Sequence, residues 1–248
     1  MRMSWPNVKP GWYVVALLFL YSLLVTLAWQ RSEAAAQRTP ANGAEPGELV
    51  ATVAAGEVGG APYGLWFPVV GARLPENPAY LPGAPRPYRQ GVNQGFNFYS
   101  EDAGVPIVYG TPVVAAADGV ISRADTVYRE RTPEEWQALL AAVDEAGADD
   151  DQLDLLRGRQ LVITTDDGRS LRYAHLSGIR PGIFVGQRVY RGQVVAYVGN
   201  TGTTEGVRGG SGGARLHFEI WQRDGTFFGE AMDEATLRLR AASLFVGP

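Results

Sequence analysis

Nineteen consecutive residues without a charge, Gly11 to Trp29, divide this chain before any other feature does. At about 1.5 Å per residue, a helix of that length crosses an apolar layer of about 30 Å. Trp12 and Tyr13 at one end and Trp29 at the other stand where amphipathic rings settle at a membrane surface. Arg2 and Lys9 precede the run with no acid, whereas Arg31 and Arg38 beyond it are accompanied by Glu33 and Glu45. The positive flank stays inside, which predicts a cytoplasmic N-terminus over 1–10, a transmembrane helix or signal anchor over 11–29, and everything further on the extracytoplasmic side. The competing reading is a cleaved signal peptide ending at Ala34-Ala35-Ala36, but the apolar run exceeds the usual length of about 7–15 residues. Either way the remainder is exported.

Residues 30–61 are rich in Ala, Gly, Pro and Glu with no sustained apolar period, the composition of a flexible linker. From residue 62 onward, aromatics, Val and closely spaced Gly and Pro predict a domain of short strands and turns over 62–248. The chain has no cysteine, which removes disulfides and thiolate metal sites and leaves His, Asp and Glu as possible ligands. It carries 22 basic against 26 acidic residues, and residues 1–30 take two basic residues and no acid out of the exported part. A nucleic-acid partner, which needs a basic face, is disfavoured.

Strands are predicted over Thr111 to Ala117, Val120-Ile121, Leu161 to Thr165, Ser170 to His175 and Leu216 to Trp221, with Asp166-Asp167-Gly168 turning the third and fourth into a hairpin. Gly186-Gln187-Arg188-Val189 and Gly192-Gln193-Val194-Val195 repeat a Gly-Gln-x-Val pattern that brackets short strands. One segment, about 127–158, is helical instead. Thr132 as N-cap, Pro133 at the first helical position and Glu135 closing a capping box start a helix. Trp136, Leu139, Leu140 and Val143 form its apolar face and Gly147 stops it. Asp149, Asp150 and Asp151 then head a second short helix; they lack the alternating ligands and glycine of a calcium loop.

Several stretches, collinear over about 150 residues from Phe67-Pro68 to Trp221, resemble the M23 family of zinc peptidases, whose LytM-type domains cut peptide cross-links in bacterial cell walls. They include Tyr88-Arg89-Gln90-Gly91, the Gly110 to Val120 stretch and the turn Gly199-Asn200-Thr201-Gly202. The family's His-x-Gly-x-Asp, Tyr-x-His-Leu and His-Leu-His-Phe-Glu motifs correspond here to Asn93-Gln94-Gly95-Phe96-Asn97, Tyr173-Ala174-His175-Leu176 and Arg215-Leu216-His217-Phe218-Glu219. The resemblance implies a mostly β, antiparallel-sheet LytM/M23-type fold with a helical insertion, and it places Asn93, Asn97 and His217 at the zinc-ligand positions. Arg215 and His175 fall at the positions of the acid-base or transition-state-stabilising histidines. The run Gly206 to Gly213 resembles the loop before the closing motif and reads either as a groove wall or as a flexible turn. Gly95 reads as a position of positive φ.

The substitutions bear on the chemistry directly. Catalytic zinc needs three imidazole, carboxylate or thiolate ligands and an open position. Two Asn amides leave His217 as the only good ligand. Arg215 cannot lose its proton, and about 4 Å from a dication it is repelled by roughly 1–4 kcal/mol per unit charge. The expectation is a degenerate member without a metal cofactor and without catalytic residues, in which His175 and Arg215 are vestigial. Asn93, Asn97, Tyr173, His175, Arg215 and His217 are then the residues that line a binding groove. The implied partner is a cell-wall hydrolase, another envelope protein or a peptidoglycan peptide. Two alternatives stand beside this one: an active zinc endopeptidase whose site is rebuilt with Glu219, Asp102 or Glu101, and a structural spacer whose groove is covered by the insertion.

Overall fold

The computed structural model describes residues 64–246, so the apolar run 11–29 and the linker 30–61 lie outside the described residues. No helix among the described residues is long and apolar enough to cross a membrane. In chain order the strands are β1 (Pro85–Arg86), β2 (Gly91–Val92), β3 (Gly95–Phe98), β4 (Pro112–Val114), β5 (Gly119–Ala124), β6 (Leu161–Thr165), β7 (Ser170–Ala174), β8 (Leu176–Ile179), β9 (Arg188–Val189), β10 (Val194–Val198) and β11 (Leu216–Trp221). The helices are α1 (Pro133–Ala146), α2 (Asp150–Arg157), α3 (Thr204–Val207) and α4 (Glu234–Leu244). A six-stranded sheet has the order β3-β11-β7-β6-β5-β9, and a three-stranded sheet has the order β4-β10-β8. Strands β1 and β2 pair separately, and every strand pair is antiparallel.

The predicted hairpin is β6–β7, whose register pairs Ile163 with Leu171. Leu216, Phe218 and Ile220 alternate along β11 and enter the main core with Phe96, Phe98 and Tyr173. Both ends of the domain close on that core. Leu65 N–H donates to Leu244 at 2.8 Å, Val246 N–H donates to Leu65 at 2.8 Å, and Phe245 stacks on Phe67 with centroids 4.6 Å apart. Helix α4, which sequence reading left unassigned, carries the chain back to this seam.

The insertion folds as its caps dictate. Glu135 N–H donates to Thr132 Oγ1 and Thr132 N–H donates to Glu135 Oε2 at 2.9 Å, so both halves of the capping box form. Asp149 caps α2 in the same reciprocal way with Gln152. Trp136, Leu139, Val143 and Leu156 make a second apolar cluster apart from the sheet core. The insertion is anchored where Trp136 Nε1 donates to Thr204 at 3.1 Å, and where Gln90 Nε2 donates to the Asp144 carbonyl at 2.7 Å.

Candidate functional site

Register on the central strand builds the site. Along β11, His217 lies opposite Asn97 of β3 and Ala174 of β7, and Glu219 lies opposite Gly95 and Arg172. Side chains alternate across a sheet, so this polar row faces away from Phe218 and its core neighbours. Gly95 is needed here, but not for a positive φ as expected. A Cβ on it would stand 2.4 Å from the Phe218 carbonyl oxygen and 2.9 Å from Glu219 Cγ, so the Glu219 side chain occupies space that only glycine leaves open. The row floors a cavity of about 330 Å³ lined by Asn93, Asn97, His175, Arg215, His217 and Glu219 among others.

Tyr173 is a correction to the expected groove set. Two residues apart on a regular strand, Tyr173 and His175 would share a face. However, β7 ends at Ala174 and His175 has φ 59°, which breaks the alternation. The His175 ring therefore turns into the cavity while Tyr173 is fully buried against Phe218, ring centroids 5.0 Å apart, with its hydroxyl accepting from Ala116 N–H at 2.8 Å. Burial raises the Tyr173 pKa. The left-handed conformation at His175 costs about 1–2 kcal/mol and re-aims one ring.

Hydrogen bonds fix the tautomer of His175, and burial beside an ionised Glu219 sets that of His217. His175 Nδ1 lies 2.8 Å from the Thr201 carbonyl, an acceptor only, so Nδ1 carries the proton. Its Nε2 lone pair then accepts from Arg215 Nη2 at 2.9 Å. Burial, and after it the charge of Arg215, hold the His175 pKa well below its ordinary value. His217 Nε2 lies 3.0 Å from Glu219 Oε1. Glu219 is 1% exposed; burial alone would raise its pKa, but the His217 hydrogen bond and the Arg157 charge outweigh burial and keep it ionised. An ionised carboxylate only accepts, so Nε2 donates. Burial keeps His217 neutral, with its pKa lowered, which leaves Nδ1 an acceptor. The atom facing Nδ1, at 3.0 Å, is Asn97 Oδ1; a neutral ring whose Nδ1 is an acceptor requires the oxygen and NH₂ of that amide to be exchanged, so that the NH₂ donates.

Glu219 is the most heavily used acid of the site. Arg157 Nε donates to its Oε1 at 2.7 Å and Nη2 to its Oε2 at 3.2 Å, Trp221 Nε1 donates to Oε2 at 2.6 Å, and Arg172 Nε stands 3.3 Å from Oε2. Arg157 also donates to Gln94 at 2.7 Å. Sequence reasoning missed Arg157 because a basic residue in the last turn of α2 reads as a helix-dipole complement. It missed Arg86, Arg89 and Tyr99, which also line the cavity. Glu101 and Asp102 lie elsewhere: Glu101 accepts from the Tyr80 hydroxyl and Asp102 from Asn77 N–H. The run Gly206 to Gly213 does not line the cavity; Asn200 Nδ2 ties it down through the Gly210 and Gly212 carbonyls.

The residues at the zinc positions do not fit zinc. Asn93 Nδ2 donates to the Leu81 and Gly95 carbonyls at 2.8 and 2.6 Å, both His217 nitrogens are engaged, and the neighbouring carboxylate is paired with two arginines. Among the described residues no three His, Cys, Asp or Glu side chains gather closely enough to hold a metal ion. The insertion stands beside the cavity as a wall, contributing Leu156 and Arg157, while Ala79 and Tyr88 on the rim are exposed.

Several solved structures are similar to this chain, among them two peptidases. A zinc-containing peptidase from Vibrio cholerae is 24% identical with a TM-score of 0.41, over 66% of this chain and 38% of that one. The catalytic domain of the antimicrobial peptidase lysostaphin from Staphylococcus simulans is 22% identical with a TM-score of 0.37, over 64% and 88%. This chain thus spans about two fifths of the Vibrio peptidase. No curated protein sequence matches it. The model of Peptidase family M23 matches residues 102–229, starting just after Asn97 and taking in His175, Arg215 and His217. With more than half of its length matched, this chain belongs to peptidase family M23.

Proposed function

We propose that this M23 domain binds without cutting. Anchored through 11–29 and held off the membrane by 30–61, it presents its groove outside the cytoplasm to a cell-wall hydrolase, another envelope protein or a peptidoglycan peptide. The observation that carries this reading is that the three groups suited to activating water are already engaged. The His175 lone pair accepts from Arg215, the Glu219 carboxylate is held by Arg157 and Arg172, and the His217 ring is spanned by Asn97 and Glu219. A general base must be free to take a proton from a bound water near neutral pH. None of the three is, and the zinc positions lack a ligand set that would activate water instead.

The test uses the full chain and purified peptidoglycan sacculi, with added zinc. Co-sedimentation without release of new peptide amines is expected. Zinc-dependent release of soluble peptide overturns the reading.

A further inference from the structure

Four arginines, Arg86, Arg89, Arg157 and Arg215, line one cavity with a single acid, Glu219. That acid is spent on Arg157 and Arg172. Arg86, Arg89 and Arg215 make no ion pair among the described residues. Their visible bonds go to neutral acceptors: Arg86 to the Pro85 and Ala79 carbonyls at 3.0 and 2.8 Å, Arg89 to the Val92 carbonyl at 2.6 Å, Arg215 to His175. Arg89 Nε is buried with no partner at all.

Neutral acceptors satisfy N–H groups but do not cancel charge. A guanidinium has five N–H donors, so Arg86 and Arg215 keep donors to spare. Burial lowers the Arg86 and Arg89 pKa values, and like charges lower them further, Arg89 and then Arg215 acting on Arg86 and Arg157 acting on Arg89. Holding such charges together costs folding energy unless an anion offsets it. A bare inorganic ion leaves most of the cavity unfilled, because a hollow of about 330 Å³ falls within the range of roughly 300–1,000 Å³ typical of small-molecule sites. Tyr88, Tyr99 and Leu156 supply apolar surface on its walls, and Arg215 already packs over the Tyr99 ring at 5.7 Å.

We propose that the cavity captures the C-terminal carboxylate of a peptide, with Arg86 and Arg215 as its clamp and the last side chain lying against Tyr88, Tyr99 and Leu156. Arginine suits this ligand because its planar fork matches a carboxylate in charge and geometry. The proposal rests on the groove binding without cutting, and it adds what the bound end looks like.

The test is calorimetric titration of the full chain with N-acetyl-alanyl-alanine, its C-terminal amide and inorganic phosphate. Saturable binding of the acid is expected, weakened about tenfold or more in the amide and in Arg215→Gln, as loss of a charge-assisted hydrogen bond requires. Phosphate is expected to bind more weakly than the dipeptide. Acid and amide binding equally, phosphate matching the dipeptide, or no saturable binding of the acid each overturns the carboxylate proposal. The acid–amide comparison in the unmodified chain decides the matter if Arg215→Gln disturbs the fold. Cleavage of the dipeptide during titration overturns the non-cutting reading as well, whereas equal binding of acid and amide leaves that reading intact.

Discussion

Arg215 Nη2 donates to His175 Nε2 across 2.9 Å, so the guanidinium occupies the lone pair through which that histidine would otherwise take up a proton. Burial is the larger cause of the lowered His175 pKa and the Arg215 charge the second. Arg215→Gln is therefore expected to raise the His175 pKa while burial still holds it below about 6.5. An NMR titration of the His175 ring in both proteins checks this; an unchanged or lower value contradicts it.

Stability should fall on mild acidification. Both histidines have folded pKa values below the ordinary one, so under about pH 6.5 the unfolded chain binds more protons than the folded one. Their contribution is complete above that pH and is lost as pH falls toward the folded values. The Glu219 contribution, present above about pH 4.3, is lost at lower pH still. Melting temperature measured between pH 5 and 7.5 should decline toward acid, less steeply in His175→Gln. A flat profile in the unmodified protein contradicts the neutral assignment.

Glu219→Gln removes the charge that holds Arg157 and Arg172. Arg157 is only 11% exposed, so the guanidinium left behind is a buried unpaired cation. Breaking a buried pair in this way costs about 3–5 kcal/mol. Urea unfolding at pH 7 reads this out, and a loss below about 1 kcal/mol, the scale of an exposed pair, contradicts the described network.

The sequence shows most of the framework because caps and turns are local chemistry. Thr132, Pro133, Glu135 and Gly147 bound α1 as their residue types demand. The repeated Gly-Gln-x-Val pattern is the same turn made twice: Gln187 accepts from Phe184 N–H and Gln193 from Tyr190 N–H, each at 3.2 Å, after glycines at φ 91° and 84°. Helix α4 is illegible because Leu237 is buried and Leu239 exposed, a spacing that reads as strand alternation. The inward turn of the His175 ring depends on a positive φ that no residue pattern announces. Arg157 reaches Glu219 across 62 positions of sequence, a contact set by how the insertion docks.

Zinc content tests the central claim most directly. The full chain, equilibrated with zinc and dialysed, is measured by elemental analysis beside an Asn93→His, Asn97→Asp, Arg215→His variant that restores the two missing ligands and removes the repelling guanidinium. The account predicts essentially no retained zinc in the unmodified chain and a gain in the variant. Zinc near one equivalent in the unmodified chain would contradict it, since two more good ligands would then have to exist beside His217 where two amides stand.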